Sequence, residues 1–329
     1  MLEVITPGLL STVQDAGRLD YTDLGVPRAG ACDPWALAAA NLLLGNPPGA
    51  AALEITIAGP ALRARQTGVV ALAGADLGAW IAPEDRALAP GGAYLLRAGA
   101  TLAFRGGPRG ARAYLALPGG IVVPRVLGAA ATYLAGGFGG LDGRPLRPGD
   151  YLPAAHPADW RAAGQLWPAT IPDPYVDPPC VRVLPGPHAA HFAPAALATL
   201  LAVPWEVGPQ SDRMGLRLQG PALPFAPGRA DLVSQGVVWG ALQVPPDGQP
   251  IALLADHQTV GGYPILAVAI TADRPRLAQL PPGARLRFTL TTLAEAQAAV
   301  RAQQAALHTA AAQLAAPALW DRLADQMGG

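Results

Sequence analysis

The sequence predicts a mainly β protein built as two domains, with few helices. Three observations lead there. Short, mostly apolar runs of four to seven residues recur along the chain, punctuated by Gly-Gly, Pro-Gly and Gly-Pro. No run of alternating strand and helix patterns appears, which argues against a parallel α/β sheet and for barrels or sandwiches. The length, 329 residues, is about that of two ordinary domains.

Taken in order, Leu53–Ile57, Val69–Ala73, Ala93–Arg97, Thr101–Phe104 and Ala111–Leu117 read as strands. Ahead of these, Asp33-Pro34 opens a helix over WALAAANLLLG: Asp33 is the N-cap, Pro34 takes the first helical position and Gly45 closes it. A second helix opens at Thr292-Leu-Ala-Glu295, a capping box, and presents Leu293, Val300, Leu307 and Leu314 as a stripe with Ala296 and Ala310 alongside. Beyond Pro317, Leu319, Trp320, Leu323 and Met327 fall on one side of a further short segment. Nine prolines between Pro153 and Pro187, with Trp160 and Trp167 among them, read as an ordered, partly extended linker. The expected division is residues 1–155, a linker at 156–179, a second β domain at 180–291 and a helical segment at 292–329. Gly59-Pro-Ala-Leu62 recurs as Gly220-Pro-Ala-Leu223, Gly119-Gly120 as Gly261-Gly262, and Pro148-Gly149 as Pro282-Gly283. That order is compatible with duplication of one β unit.

Charge narrows the chemistry. All 23 basic residues are arginine, balanced by 23 Asp and Glu. Without lysine there is no P-loop cation, no Schiff-base amine and no residue to carry biotin or lipoate. Neutral balance speaks against nucleic-acid binding. Cys32 and Cys180 fit no metal spacing and no disulfide framework, so no metal is expected. The first residues lack a signal-peptide pattern, and long uncharged stretches such as Pro34–Leu53 and Val126–Leu141 are broken by Pro or Gly; no membrane span and a cytoplasmic location are the expectation.

Polar clusters within this apolar chain mark candidate sites. Gln14-Asp15-Ala-Gly17-Arg18 joins an amide, a carboxylate and a guanidinium suited to hold an anion bidentately, or merely to brace a turn. Arg28 lies in a glycine-bearing loop running into the Asp33 cap, an arrangement suited to anions. Asn41, with Asn46 and Glu54 after it, adds polar groups that are ligands or satisfied core residues. Ser211-Asp212-Arg213 repeats the first cluster in kind, and Gln243 precedes a hairpin-like turn. Asp256-His257-Gln258-Thr259-Val-Gly-Gly-Tyr263 is the densest run of functional groups, on a Gly-Gly loop between apolar strands. His188 and His191 lack a carboxylate partner, and Cys32 lacks a nearby base.

TVQDAGR (12–18), GVPRAGACD (25–33), LEITIAGP (53–60), SDRMGLRLQGP (211–221) and GALQVPPDGQPIALLADHQTVGGYP (240–264) together resemble a carboxyltransferase-like family. That family includes the C component of 5-oxoprolinase, allophanate hydrolase subunit 2 and the antagonist of a sporulation kinase inhibitor. The resemblance implies two cyclophilin-like β-barrel domains. It also implies two partners, a kinase-inhibitor-like B component and a LamB/YcsF-like A component, with which the chain opens the lactam of 5-oxoproline to glutamate using ATP. In that setting Asp256, Asp15 and Asp212 are the expected acid–base or orienting groups. Arg18, Arg28, Arg213, Gln14, Asn41, Ser211, Gln243, Gln258, Thr259 and Tyr263 are the expected substrate-binding groups. ATP is expected through the complex, and no covalent biotin on this chain. Alternatives are a carboxyltransferase acting on urea or a related amide with a separate biotin carrier, and a non-enzymatic regulator bound to a kinase-inhibitor partner. The chain departs from the family pattern at Ala29 (Ser is usual), Cys32 (Met), Gly128-Ala-Ala-Ala-Thr132 (Gly-Ser-Arg-Ser-Thr) and His257 (Arg), each but Cys32 removing a hydrogen-bonding or anion-binding group.

Overall fold

The computed structural model describes residues 1–107, 109–157, 159–171, 173–175, 179–228 and 232–315. The chain is mainly β, as predicted, with four α-helices among the described residues. In the N-terminal half two antiparallel sheets enclose one core. One sheet runs in the order Tyr151–Leu152, Leu2–Thr6, Ala61–Ala64, Thr101–Phe104, Ala79–Ala82, Arg86–Leu88. The other runs Leu10–Gln14, Ala52–Thr56, Arg109–Ala116, Gly68–Asp76, Gly92–Leu96. Leu2, Val4, Leu53, Ile55, Leu62, Val70, Ile81, Leu102 and Leu115 fill the space between them.

The continuous apolar run of Gly68–Asp76 has a physical reason. Val70 and Leu72 point into the inter-sheet core, while Val69, Ala71 and Ala73 meet α1 (Pro34–Leu42) on the outer face. A strand covered on both faces has no need of polar alternation. Helix α1 starts as the sequence predicts: Asp33 Oδ1 accepts from the Ala36 N–H at 2.9 Å and Pro34 sits at the first turn. Its α-helical geometry stops at Leu42, and Gly45 closes the following turn at a φ of 69°.

The C-terminal half is a closed barrel of seven strands: Cys180–Pro185, Ile265–Ala269, Ala241–Gln243, Ile251–Leu253, Gly215–Gln219, Trp205–Val207 and Arg285–Leu290. A parallel pairing of Val181 with Phe288 seals it. Along Arg285–Leu290, Leu286 and Phe288 turn inward while Arg285 and Arg287 face out, the period-two pattern of a strand with one wet face. Leu62 and Leu223, the ends of the repeated Gly-Pro-Ala-Leu, are both buried in their respective cores. A small ribbon, Gln235–Gly236 against Val260–Gly261, carries one edge of the Gly-Gly loop.

The proline-rich stretch is laid on the N-terminal half. Ala93 donates to Gln165 O at 2.9 Å and Trp167 to Gly91 O at 2.7 Å, extending the edge strand Gly92–Leu96. After α2 (Ala195–Ala202) and α3 (Arg274–Ala278), α4 (Leu293–Ala315) opens with the reciprocal bonds of a capping box: Thr292 N to Glu295 Oε2 at 2.9 Å and Glu295 N to Thr292 Oγ1 at 3.2 Å. Ala310, Ala306 and Leu307 then pack on Trp35 and Ile171, and Leu314 reaches the α1 cluster, so the helix straps the two halves together. Leu293, expected in the stripe, is instead 61% exposed, because the cap turn lies ahead of the packed face. Leu319, Trp320, Leu323 and Met327 lie outside the described residues. No described helix is long and apolar enough to cross a membrane.

Candidate active site

Two glycine loops meet where the halves join. Gly17 and Gly30 both have positive φ, and a Cβ on Gly30 would stand 2.7 Å from the Gly17 nitrogen, so the loops pass backbone against backbone. Asp15 ties them together. Its Oδ1 accepts from Gly17 N at 2.8 Å, its Oδ2 from Ala130 N at 2.7 Å, and its carbonyl from Ala31 N at 3.0 Å.

This scaffold buries Arg18, which is only 1% exposed. Its Nη2 donates to Ala131 O, the guanidinium lies 4.7 Å from the Phe138 ring centroid, and Gly139 leaves the room that the group occupies. Its Nε and Nη1 have no partner. Beside it Gln14 donates through Nε2 to Thr12 Oγ1 at 3.0 Å and Thr132 O at 3.1 Å, leaving Oε1 without a partner. Burial lowers the Arg18 pKa from its ordinary value, while Asp15 and Asp256 oppose that. Buried donors without acceptors are rare in folded proteins and call for a partner such as water, an ion or a ligand.

Opposite Arg18, the C-terminal half contributes Arg213 and Asp256. Arg213 Nε and Nη2 donate to Asp256 Oδ2 and Oδ1, both at 2.9 Å. The same guanidinium crosses the seam: Nη1 donates to Glu54 Oε1 and Nη2 to Gly30 O at 2.6 Å. Glu54 Oε2 accepts from Tyr114 Oη at 2.6 Å and Cys32 N at 2.8 Å, and Arg112 approaches Glu54 Oε1 at 3.7 Å. Burial would raise the Glu54 pKa, but Arg213 and Arg112 outweigh it and hold the carboxyl below its usual value. Burial acts against the Arg213 charge too, and Asp256 and Glu54 overcome it. Arg213 and Asp256, read from the sequence as ligand-binding and catalytic, therefore form part of an ion network holding the two halves in register.

Next to Asp256, His257 is 8% exposed. Its Nδ1 lies 2.6 Å from Gln258 O. A carbonyl only accepts, so Nδ1 carries the proton and Nε2 keeps a lone pair. Burial lowers the His257 pKa and Arg274 adds to that, so the ring is neutral near pH 7. Arg274 itself stacks on Trp239, 4.8 Å from the ring centroid, with Nη2 donating to Trp239 O at 3.2 Å.

The other expected residues divide. Gln258 donates to Gln243 Oε1 at 2.9 Å and Gln243 Nε2 reaches Tyr263 O at 3.4 Å, so three of the expected groups shape the Gly-Gly loop. Thr259 pins that loop through its carbonyl, which accepts from Val237 N at 3.0 Å. Tyr263 is exposed. Arg28 is also exposed and donates to Ala16 O. Asn41 is fully buried and wired to Ala50 O at 2.8 Å and to Asn46. Asp212 lies exposed and accepts from Met214 N at 2.7 Å, holding a turn, and Ser211 Oγ accepts from Arg217 N at 3.0 Å. Burial drives the Cys32 thiol up to about 12, which removes it as a nucleophile. Among the described residues no group of three or more His, Cys, Asp or Glu is placed to hold a metal ion.

Sequence reasoning passed over Arg112, Arg274, Trp239 and Gln279. Gln279 bonds both Asp33 Oδ2, at 2.7 Å, and the backbone of Ala111 and Arg112. Arg112, Trp239 and Gln279 carry no motif of their own, Arg274 lies in the charged run Asp273-Arg274-Pro-Arg276, and only the fold brings the four to the seam. A cleft of ≈ 760 Å³ also opens along the seam, lined by Arg109, Tyr175, Arg276 and Gln279 among others, and it contains none of the residues expected from the sequence.

Comparison with known proteins matches residues 24–290 to the carboxyltransferase domain, subdomain A and B. The chain belongs to that family. It is 40% identical over 309 residues to the C component of 5-oxoprolinase from Escherichia coli, covering 92% of this chain and 96% of that one. It is 33% identical to the component of the same name from Haemophilus influenzae, covering 90% and 93%. The crystal structure of the K. lactis urea amidolyase superposes with a TM-score of 0.87 at 28% identity over 94% of this chain; the match spans 20% of that longer protein.

Proposed function

We propose that this chain is one component of a 5-oxoprolinase, opening the lactam of 5-oxo-L-proline to L-glutamate with ATP and with partners of the A and B kinds. The observation that carries the reading is the near end-to-end match to proteins named as the C component of 5-oxoprolinase. The site supports it chemically. 5-Oxoproline carries one carboxylate beside its lactam, and Arg18 offers a buried positive charge with donors on Nε and Nη1 that have no partner, each able to reach a carboxylate oxygen. The Gln14 Oε1 beside it is placed to accept the lactam N–H.

Ring opening adds water across the lactam C–N bond: the oxygen joins the carbonyl carbon, the proton taken from the water passes to the nitrogen, and the nitrogen leaves as the amine. ATP on a partner is cleaved to ADP and phosphate to drive the step. His257, neutral and with a free Nε2 lone pair, is the group suited to take the proton from that water. Asp256, ion-paired with Arg213 beside it, stabilises the imidazolium so formed. Asp15 orders the loop that presents Arg18. Asp212, exposed and committed to its turn, is left without a catalytic part in this reading. The residues present do not fit a triphosphate, since Arg18 has only two nitrogens without a partner and the chain has no lysine or P-loop. We place the nucleotide on a partner.

Combining this chain with its A-type and B-type partners, 5-oxoproline and ATP tests the reading. Glutamate release that requires all three proteins is the expected result. Release by this chain alone, or none from the trio, overturns it. A second reading, carboxyl transfer to an amide, is favoured by the superposition on the urea amidolyase. It requires a separate biotin carrier, because this chain has no lysine to bear one.

A further inference from the structure

Six buried side-chain nitrogen or oxygen atoms among the described residues lack a hydrogen-bond partner. One, Arg112 Nε, has the Glu54 carboxylate 3.7 Å away. Three belong to Gln14 and Arg18 and are accounted for by the substrate site. The other two, Arg274 Nε and Trp239 Nε1, are not. They belong to stacked residues, with the guanidinium carbon 4.8 Å from the indole centroid, and Trp239 is only 7% exposed.

We propose that Arg274 and Trp239 form a second oxyanion site beside His257, taking a carboxylate or phosphate group distinct from the one received by Arg18. Charge is the main reason. Arg274 makes no salt bridge with any described carboxylate, and the charged residue acting on it most directly is Arg28, of the same sign. Asp256, the acid next to His257, is already bound through both oxygens by Arg213. A part-buried guanidinium whose Nε is shut off from solvent and which has no counter-charge is costly, and burial with the nearby Arg28 lowers its pKa to about 10. Water can satisfy an orphan N–H but supplies no charge; an oxyanion supplies both. The indole N–H adds a neutral donor of fixed direction, and Arg28, on the exposed side, is placed to draw an anion inward. The site is independent of which amide the protein acts on.

The test uses the chain alone and needs no turnover. In a ¹⁵N-labelled sample the Trp239 indole N–H signal is assigned by its loss in Trp239→Phe, and then followed while inorganic phosphate, and separately acetate, is added. A saturable shift of that signal is expected with one or both, and the anion that acts at lower concentration identifies the class. Arg274→Gln is expected to weaken that titration at least tenfold, and Arg18→Gln to leave it within about twofold. No Trp239 shift with either anion overturns the proposal, as does an unchanged titration in a folded Arg274→Gln variant. Should Arg274→Gln fail to fold, Arg274→Lys, which keeps the charge and removes the Nε donor, is expected to bind at least tenfold more weakly, and wild-type affinity there overturns the proposal equally.

Discussion

Arg213 and Glu54 lie 159 positions apart in the chain, on different halves, and are joined by a buried hydrogen-bonded ion pair. Because Arg213 simultaneously holds both oxygens of Asp256, one guanidinium sets the position of the Asp256–His257 loop relative to the N-terminal sheet that bears Glu54.

Removing that guanidinium leaves Asp256 buried without its ion pair and leaves Glu54 with only Arg112, 3.7 Å away, as a counter-charge. Arg213→Ala is expected to lower the stability to chemical denaturation by about 3–5 kcal/mol, the usual cost of breaking a buried pair by taking one partner. An effect under about 1 kcal/mol, the range of exposed pairs, would show that the network is not holding the seam.

Asp33 lies across the same seam, accepting from Ala36 N, from Tyr175 Oη at 2.5 Å and from Gln279 Nε2. Burial raises its pKa from 3.8 to about 6, against the opposing pull of its hydrogen bonds to Tyr175, Ala36 and Gln279. The folded state then binds a proton more tightly than the unfolded one. Its ionised form costs stability above about pH 6, and that cost disappears as pH falls below the unfolded value. A shift of about two units corresponds to ~3 kcal/mol. Unfolding free energies measured from about pH 7 to about pH 4.5, the window in which this proton is taken up, are expected to rise for the wild type relative to Asp33→Asn as pH falls. Parallel curves for the two proteins would refute this.

The His257 ring is neutral because burial and Arg274 hold its pKa below the ordinary 6.5. Turnover of the reconstituted complex is expected to show an acidic limb with its midpoint below 6.5. That limb should be lost, together with at least about a hundredfold of kcat, in His257→Gln. A limb that persists unchanged in the variant would assign the base elsewhere.

Gly139 has φ 77°, and a Cβ there would meet Ala131 O and Arg18 Nη2. Gly139→Ala is expected to destabilise the protein by roughly 1–3 kcal/mol, through backbone strain, and to raise KM for 5-oxoproline, since Arg18 has to move. Calorimetry and kinetics on the same preparation check both.

Much of the fold was legible in the sequence, because strand alternation and helix capping are local signals. The Asp33-Pro34 start and the Thr292–Glu295 box were readable from neighbouring residues alone, and both appear as bonds. The candidate site was legible where polar residues cluster, at Gln14–Arg18 and Asp256–Tyr263, which the fold brings to the seam. It was obscure where function depends on long-range pairing. Nothing near Arg213 in the chain announces Glu54, and Arg274 and Trp239 stand 35 positions apart until the barrel closes. Asp212 and Asn41 illustrate the converse: a polar residue in a conspicuous motif whose bonds are used up in a turn.

The central claim, that Arg18 receives the substrate carboxylate, has a direct test. The complex is assayed with 5-oxoproline and with 2-pyrrolidinone, the same lactam without its carboxylate, using wild-type chain and Arg18→Gln. A charge-assisted, buried contact of about 3 kcal/mol corresponds to a preference of roughly a hundredfold in kcat/KM for 5-oxoproline. The account predicts that preference in the wild type and its collapse to within a few-fold in Arg18→Gln. The same preference in both proteins would contradict it.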